Sequence, residues 1–175
     1  MPSPLGHALA GMAAGWAVAR PATVPGRPWH AGSELRWTGL AFGILGVLPD
    51  IDLLFPTHRG ATHSLAAALI VGLAAAALTK RARLGAASGA AYGTHALLDW
   101  LGSDTSPPLG IMAWWPFSRE YYHSAIDLFD AISRRYWLPG FWEHNFLAIA
   151  REVAILLPLL LLVAYSLRRR RRFDF

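Results

Sequence analysis

The sequence contains no cysteine and few charged residues. The absence of cysteine excludes disulfide bonds, thiolate nucleophiles and zinc sites built on thiolates. Any metal ion must therefore be bound through nitrogen and oxygen atoms. Charged residues make up 15% of the chain, whereas soluble proteins average about 25%. This shortage of charge argues against an ordinary soluble protein.

Hydrophobic residues make up 54% of the chain and concentrate in five segments. We predict a single all-α domain over residues 1–175, a polytopic membrane bundle of about four to five apolar helices. Only the last two segments approach the roughly 20 residues that a span requires. A soluble helical protein with an unusually apolar core is the alternative, but the last segment has no polar face to present to water. The segments are Leu5–Ala19, Trp37–Leu48, Leu65–Thr79, Leu84–Leu101 and Leu147–Leu167.

The basic residues predict the orientation of these segments. Threading the chain back and forth puts eleven basic residues on one side, which the positive-inside rule assigns to the cytoplasm. The N-terminus is then outside, the C-terminus is inside, and no basic residue precedes the first segment to suggest a cleaved signal. The basic run after the last segment is typical of a membrane flank, so no nucleic-acid partner is expected. The eleven are Arg20, Arg27, Arg36, Lys80, Arg81, Arg83 and Arg168–Arg172.

Glycines recur every four residues within three of the segments. Residues four apart share a helix face, and small residues there let helix backbones approach closely. The sets are Gly11 and Gly15, Gly39 and Gly43, and Gly85, Gly89 and Gly93.

His95 and Asp99 give the strongest local signal for chemistry, because they lie four apart in the fourth segment. At that spacing one ion can take both side chains. Ionisable residues in an apolar helix are costly and by default point to function. A His–Asp hydrogen bond that ties helices together is the structural alternative, and the two interpretations are evenly balanced.

Two further groups lie between the second and third segments. Asp50 and Asp52 follow Pro49, where a hydrophobic run ends, and in an extended segment both can turn toward one site. His58 and His63 surround a glycine turn. Thr62 or Ser64 is a candidate cap for the helix that follows. Solvated acids at a helix end and surface histidines in a loop are the alternatives, and each is common.

The predicted topology brings these groups together with His7, a lone histidine of the first segment. All lie at the outer ends of the first four segments, whereas structural decorations would scatter over both faces. Histidines with carboxylates suit a site for borderline metals with one or more ions. The predicted metal ligands are His7, Asp50, Asp52, His58, His63, His95 and Asp99.

The segment between the fourth and fifth helices, about residues 102–146, is predicted to be an extracytoplasmic loop. It is rich in aromatic residues, which suit either the lipid headgroup layer or a small aromatic core. His123, Asp127 and His144 are weaker metal-site candidates within it.

The order of these motifs resembles the YdjM-type family of inner-membrane metal-dependent hydrolases. The resemblance covers the chain from near its N-terminus to about Tyr122 and implies a membrane enzyme. It rests on His7, LPDID (residues 48–52), HRGATHS (residues 58–64), HALLD (residues 95–99) and WPFS (residues 115–118).

A more distant similarity is to the zinc phospholipase C and single-strand nuclease group, which are helical phosphoesterases. It implies zinc, one or two ions, with Asp99 able to bridge them. That group carries a later His and a His-x-x-x-Glu pair with no clear equivalent here, so a three-metal cluster is not expected.

We therefore expect a membrane-bound hydrolase that cleaves a phosphoester of a lipid or small amphiphile with a metal-activated water. Arg59 is expected to stabilise charge on the substrate, and Asp52 to accept a proton. One alternative is a non-catalytic membrane protein that binds or transports a metal ion. Another is a structural bundle whose His–Asp contacts only lock packing.

Overall fold

The computed structural model describes residues 1–19, 31–54, 59–105 and 107–170. These residues form α-helices, two short 3-10 helices and isolated bridges, with no strand among them, which confirms the all-α class. The 3-10 helices, Leu48–Leu54 and Ala61–His63, lie between the second and third α-helices. The α-helices are α1 (Pro4–Ala19), α2 (Ala31–Val47), α3 (Leu65–Thr79), α4 (Ala82–Leu101) and α5 (Phe141–Arg170).

The helix bounds follow the hydrophobic segments except at the start of α2 and of α5. Helix α5 begins at Phe141, so the end of the predicted loop 102–146 is helical. This first stretch has the polar residues Glu143, His144 and Asn145 in its middle, and two of these side chains bond to loop backbone: His144 Nε2 lies 2.7 Å from the Ala131 carbonyl, and Asn145 Nδ2 donates to the Ser133 carbonyl. Hydrophobicity alone therefore could not reveal it.

Helices α1 and α4 occupy the centre of the bundle. Helix α1 packs on α2, α4 and α5, and α4 packs on α1, α2 and α3. Glycine permits the closest approach, because a Cβ on Gly46 would collide with the His7 carbonyl and lie 3.1 Å from Gly11 Cα. The glycines at Gly85 and Gly89 likewise pack against Gly72 of α3, as the spacing predicted.

Large apolar side chains cover the outside of the bundle. Helix α3 has no buried residue, and Leu69, Ile70 and Leu73 are each at least 60% exposed. Exposed leucines also line α5 beyond Pro158. A soluble protein rarely exposes apolar patches on this scale.

Within the part of the chain that the structure describes, two stretches are long and apolar enough to cross a membrane, Leu35–Leu54 and Phe141–Arg169. The prediction of four to five apolar helices is therefore not confirmed. Helix α4 is long, but it is polar at many positions, and nine of its residues are buried between neighbouring helices. Its low hydropathy fits a central helix that does not face lipid.

Helix α5 is joined to the start of α1 by a buried carboxylate. Glu152 has no exposed surface and accepts a 2.6 Å hydrogen bond from the Ser3 backbone amide. The Ser3 hydroxyl also donates to Glu152, and the same hydroxyl accepts from the Gly6 amide at 3.1 Å. The N-terminus of α1 is thereby fixed to the last helix.

The chain between α4 and α5 covers one end of the bundle. Its backbone bonds to that end at several points, including the Leu65 amide to the Ala113 carbonyl and the Ile132 amide to the Met1 carbonyl. Phe129 is buried against the helices, whereas Trp114, Phe117 and Trp137 are between 54% and 92% exposed. These exposed rings do not form a small aromatic core and suit a headgroup layer.

Candidate metal centre

Five side chains from separate parts of the sequence meet at the covered end of the bundle, and we call them the donor cluster. The three histidines have no exposed surface, and Asp99 is 3% exposed. Such burial rules out the surface-histidine interpretation of His63. The cluster consists of His7 from α1, Asp50 from the first 3-10 helix, His63 from the second, and His95 and Asp99 from α4.

Four donor atoms lie close together, and those of Asp50, His63 and His95 form one group that could hold an ion. The Nε2 atoms of His63 and His95 are 3.0 Å apart. Asp99 Oδ2 lies 3.4 and 3.3 Å from these two nitrogens. Asp50 Oδ1 lies 3.8 and 3.5 Å from them. Ligands about 2.0–2.1 Å from a tetrahedral zinc ion are separated by about 3.3 Å, so these five distances fit a shared ion.

The other ring nitrogen of each of these histidines faces an acceptor. His95 Nδ1 lies 2.8 Å from the Gly46 carbonyl, which can only accept, so this nitrogen donates. His63 Nδ1 lies 3.2 Å from Asp52 Oδ2. A proton held on each Nδ1 leaves the Nε2 lone pair directed into the cluster, which is the arrangement that metal-binding histidines adopt.

Several buried atoms of the cluster lack hydrogen-bond partners within the described part of the chain. They are both ring nitrogens of His7, Oδ1 of Asp50, and both carboxylate oxygens of Asp99. Buried polar atoms are nearly always paired, and a buried carboxylate without a partner is costly. A cation among these atoms would satisfy the carboxylate oxygens and one nitrogen of His7, so the donor set fits a divalent metal.

The two oxygens of Asp99 face different partners. Oδ2 faces His63 and His95, whereas Oδ1 lies 3.3 Å from His7 Nε2. The rings of His7 and His95 stack with centroids 3.8 Å apart. His7, His95 and Asp99 thus form a second group of metal-binding geometry that shares members with the first.

The family model for the YdjM inner membrane protein matches residues 1–172, nearly the whole chain. The chain belongs to the YdjM family. No curated protein and no solved structure gives a significant match. The similarity to zinc phospholipase C that the residue order suggested has no support in these comparisons.

Asp52 of this YdjM-family protein lies behind the donor cluster. It accepts from the Thr62 hydroxyl at 2.6 Å and from the Arg59 amide at 3.0 Å, besides facing His63 Nδ1. The predicted extended segment is a 3-10 helix instead. With about three residues per turn, side chains two apart diverge, so Asp50 reaches the histidine Nε2 atoms and Asp52 reaches the opposite side of His63.

Arg59, which was predicted to stabilise charge on the substrate, is bound by other residues of the protein. The Arg59 guanidinium forms an ion pair with Asp104 and donates to the Pro108 carbonyl at 3.0 Å. Arg59 therefore lies near the site but is held by the protein. His58 lies outside the described residues, as do Arg20, Arg27, Arg171 and Arg172 of the predicted basic side.

Two residues that were not predicted as part of the site form hydrogen bonds around the donor cluster. Gly46 supplies the carbonyl for His95, and Tyr92 donates to the Thr62 carbonyl at 2.9 Å. Ser64, one of two predicted caps, accepts from the Ala67 amide and begins α3. Gly46 could have been found, since it continues the glycine face of Gly39 and Gly43. His123 and His144 bond to loop carbonyls away from the cluster.

The carboxylates beside His63 change its protonation. Burial lowers the pKa of His63, but hydrogen bonds to Asp50 and Asp52 outweigh burial and raise that pKa above 6.5. A proton therefore competes with a metal ion for this histidine.

A cleft of about 720 Å³ opens beside the donor cluster. Asp50 belongs both to the cluster and to the cleft wall, and its side chain is 16% exposed. The remaining wall comes from the N-terminus, Leu53 of the first 3-10 helix, Arg59, the loop after α4 and the start of α5. The volume is in the range of small-molecule sites.

Proposed function

We propose that this YdjM-family protein is a membrane-bound hydrolase that depends on a divalent metal, with zinc as the best candidate and one or two ions. Its proposed substrate is the phosphoester of a lipid or other amphiphile. The proposal rests on the position of Asp50, which belongs to the donor cluster and also lines the cleft. The donor cluster therefore lies at the wall of this cleft. A purely structural His–Asp lock would need no cleft and would leave no buried carboxylate oxygen without a hydrogen bond.

The chain's own residues would hold the metal and fix its surroundings. His63, His95, Asp50 and Asp99 form the first site, and His7 with the second oxygen of Asp99 offers a position for another ion. A bound divalent ion makes water a stronger nucleophile and stabilises charge on a phosphoryl group. We assign Asp52 a positioning role, holding the Nδ1 proton of His63, in place of the role as base predicted from the sequence. Arg59 fixes the wall through Asp104.

We further propose that the chain crosses the membrane several times, with the site outside and the C-terminus in the cytoplasm. The cleft lies at the end of the bundle opposite the basic C-terminal stretch of α5. Reporter fusions at the C-terminus test this orientation, and an extracytoplasmic Phe175 would refute it.

Metal content and turnover test the function together. The protein is purified in detergent without a His-tag, and its metal is measured by mass spectrometry beside His95→Ala and the matched control His123→Ala. We expect about one or two ions in the wild type and in the control, and hydrolysis of a phosphoester panel that His95→Ala abolishes. Well-folded wild type with no bound metal would refute the proposal.

A metal-binding or transporting protein without catalysis is the second candidate, favoured by the complete burial of all three histidines. Full metal occupancy without turnover of any phosphoester would select it.

A further inference from the structure

The wall of the cleft carries two arginines that no charged group of the described chain neutralises. Arg134 and Arg135 both line the cleft and are exposed. Within residues 59–105 and 107–170 their guanidinium groups form no ion pair. The other charged residues on that wall differ, because Arg59 pairs with Asp104 and Asp130 pairs with Arg151 at 3.0 Å.

The cleft therefore presents unpaired positive charge opposite a metal-binding cluster. Asp50 is the donor on the wall, and a bound cation would neutralise it. A ligand with net negative charge is thus favoured both by the two arginines and by a cation bound at the cluster. Arginine suits phosphate-type groups because its planar guanidinium offers paired donors.

The surroundings of the two arginines are typical of a membrane surface. Tyr136 and Trp137, which follow them, are 74% and 66% exposed. Trp142 on the first turn of α5 is 81% exposed, and α5 continues as an apolar span. Exposed aromatic residues beside arginines at the end of a span are characteristic of the headgroup layer.

We propose that Arg134 and Arg135 bind the headgroup of an anionic membrane lipid whose phosphate lies beside Asp50. The cleft holds a headgroup, and Leu53, Leu138 and Phe141 on its wall offer apolar contacts for the start of the acyl chains. That this lipid is also cleaved rests on the proposed function, but its selective binding does not. The arginines are specificity residues for a net-negative headgroup.

Binding is measured by native mass spectrometry of the metal-loaded, full-length protein released from detergent. The probes are phosphatidylglycerol and phosphatidylcholine with the same acyl chains. We expect the anionic lipid to bind roughly tenfold more tightly or better, since the two arginines favour a headgroup with net negative charge. The preference should weaken with added salt.

The variant Arg134→Ala/Arg135→Ala should remove this preference. Arg134→Lys/Arg135→Lys should keep most of it, because charge is retained. Arg119→Ala is the matched control, since Arg119 is an exposed loop arginine that does not line the cleft. Equal binding of both lipids by the wild type, or unchanged selectivity in the double alanine variant, would overturn the inference.

Two further measurements distinguish a failure of this inference from a failure of the proposed function. Water-soluble glycerophosphoglycerol should compete poorly, and competition as strong as that of the lipid would refute a membrane source. Selective lipid binding without hydrolysis would refute the proposed function and leave this inference standing. Hydrolysis of lipids without headgroup selectivity would refute this inference and leave the proposed function standing.

Discussion

Helices α1 and α4 each contribute to two clusters, one toward either end of the bundle. The apolar cluster comprises Trp16, Phe42, Ala87, Ala91, Leu160 and Leu167. Its one polar ring atom is satisfied from within, because Trp16 Nε1 donates to the Thr38 hydroxyl at 3.2 Å. The donor cluster, built on α1, α4 and the two 3-10 helices, leaves five buried polar atoms without hydrogen bonds among the described residues.

This difference separates residues that hold the fold from residues that hold a ligand. The apolar cluster is complete without any added group, and its stability comes from burial of apolar surface. The donor cluster is complete only with a cation. Changes at the two ends should therefore have different signatures, in stability at one and in metal affinity at the other.

Asp99→Ala should have the largest effect, because Asp99 faces His7, His63 and His95. We expect metal affinity to fall more than about 100-fold, beyond the loss typical of residues that only support ligands. Titration calorimetry in detergent measures this. Retained affinity would show that Asp99 is not a ligand.

Asp52→Asn should weaken metal binding about tenfold to 100-fold, because the Nδ1 proton of His63 loses its carboxylate acceptor. The exposed pair of His123 and Asp127 provides the control. Asp127→Asn should leave metal affinity unchanged. An equal loss in both variants would mean that Asp52 does not act through His63.

Metal affinity should decline as pH falls through the raised pKa of His63, by about tenfold per unit for one competing proton. In the metal-free protein the effect of falling pH has the opposite sign, because there it concerns folding stability. There the raised pKa contributes stability that is fully present below 6.5 and lost as pH rises through the folded-state value. Thermal unfolding with and without zinc, across a pH series, should show the stabilisation by metal shrinking toward acid. A constant metal-induced shift would contradict this.

Gly46→Ala should destabilise the protein by about 1–3 kcal/mol, as overpacking does, and should also weaken metal binding. The added methyl group would meet the His7 carbonyl and Gly11. Gly60→Ala is the control, because nothing lies within 4 Å of a Cβ there. Thermal unfolding and metal titration of both variants measure the two effects, and normal stability in Gly46→Ala would refute the close approach.

Thr38→Val should have the smallest effect, at the apolar cluster. Loss of the hydrogen bond from Trp16 should reduce stability by about 1 kcal/mol, seen as a lower unfolding temperature. Metal affinity should not change. A loss of metal affinity would mean that the two clusters are coupled.

Much of this arrangement was predictable from the sequence. The bounds of α1, α3 and α4 follow apolar runs, and all five members of the donor cluster were predicted from His and Asp positions and a threading based on basic residues. The role of Asp52 was not, because it depends on the 3-10 geometry that turns it away from Asp50. The number of spans is not confirmed, because an apolar segment does not reveal whether it faces lipid or another helix. Arg134 and Arg135 escaped notice because only the folded loop places them on the cleft.

The buried contact between Glu152 and Ser3 bears on how the protein is assembled. The ribosome delivers α5 last, so Glu152 reaches Ser3 only when every other helix already exists. The His7 amide donates to the Ser3 carbonyl at 3.1 Å. His7 is synthesised early, but it is fixed in position only when Glu152 of α5 binds Ser3. A chain truncated before α5 would carry every member of the donor cluster and still lack the tie that orients α1. Maturation of the metal centre is therefore expected to follow completion of the chain.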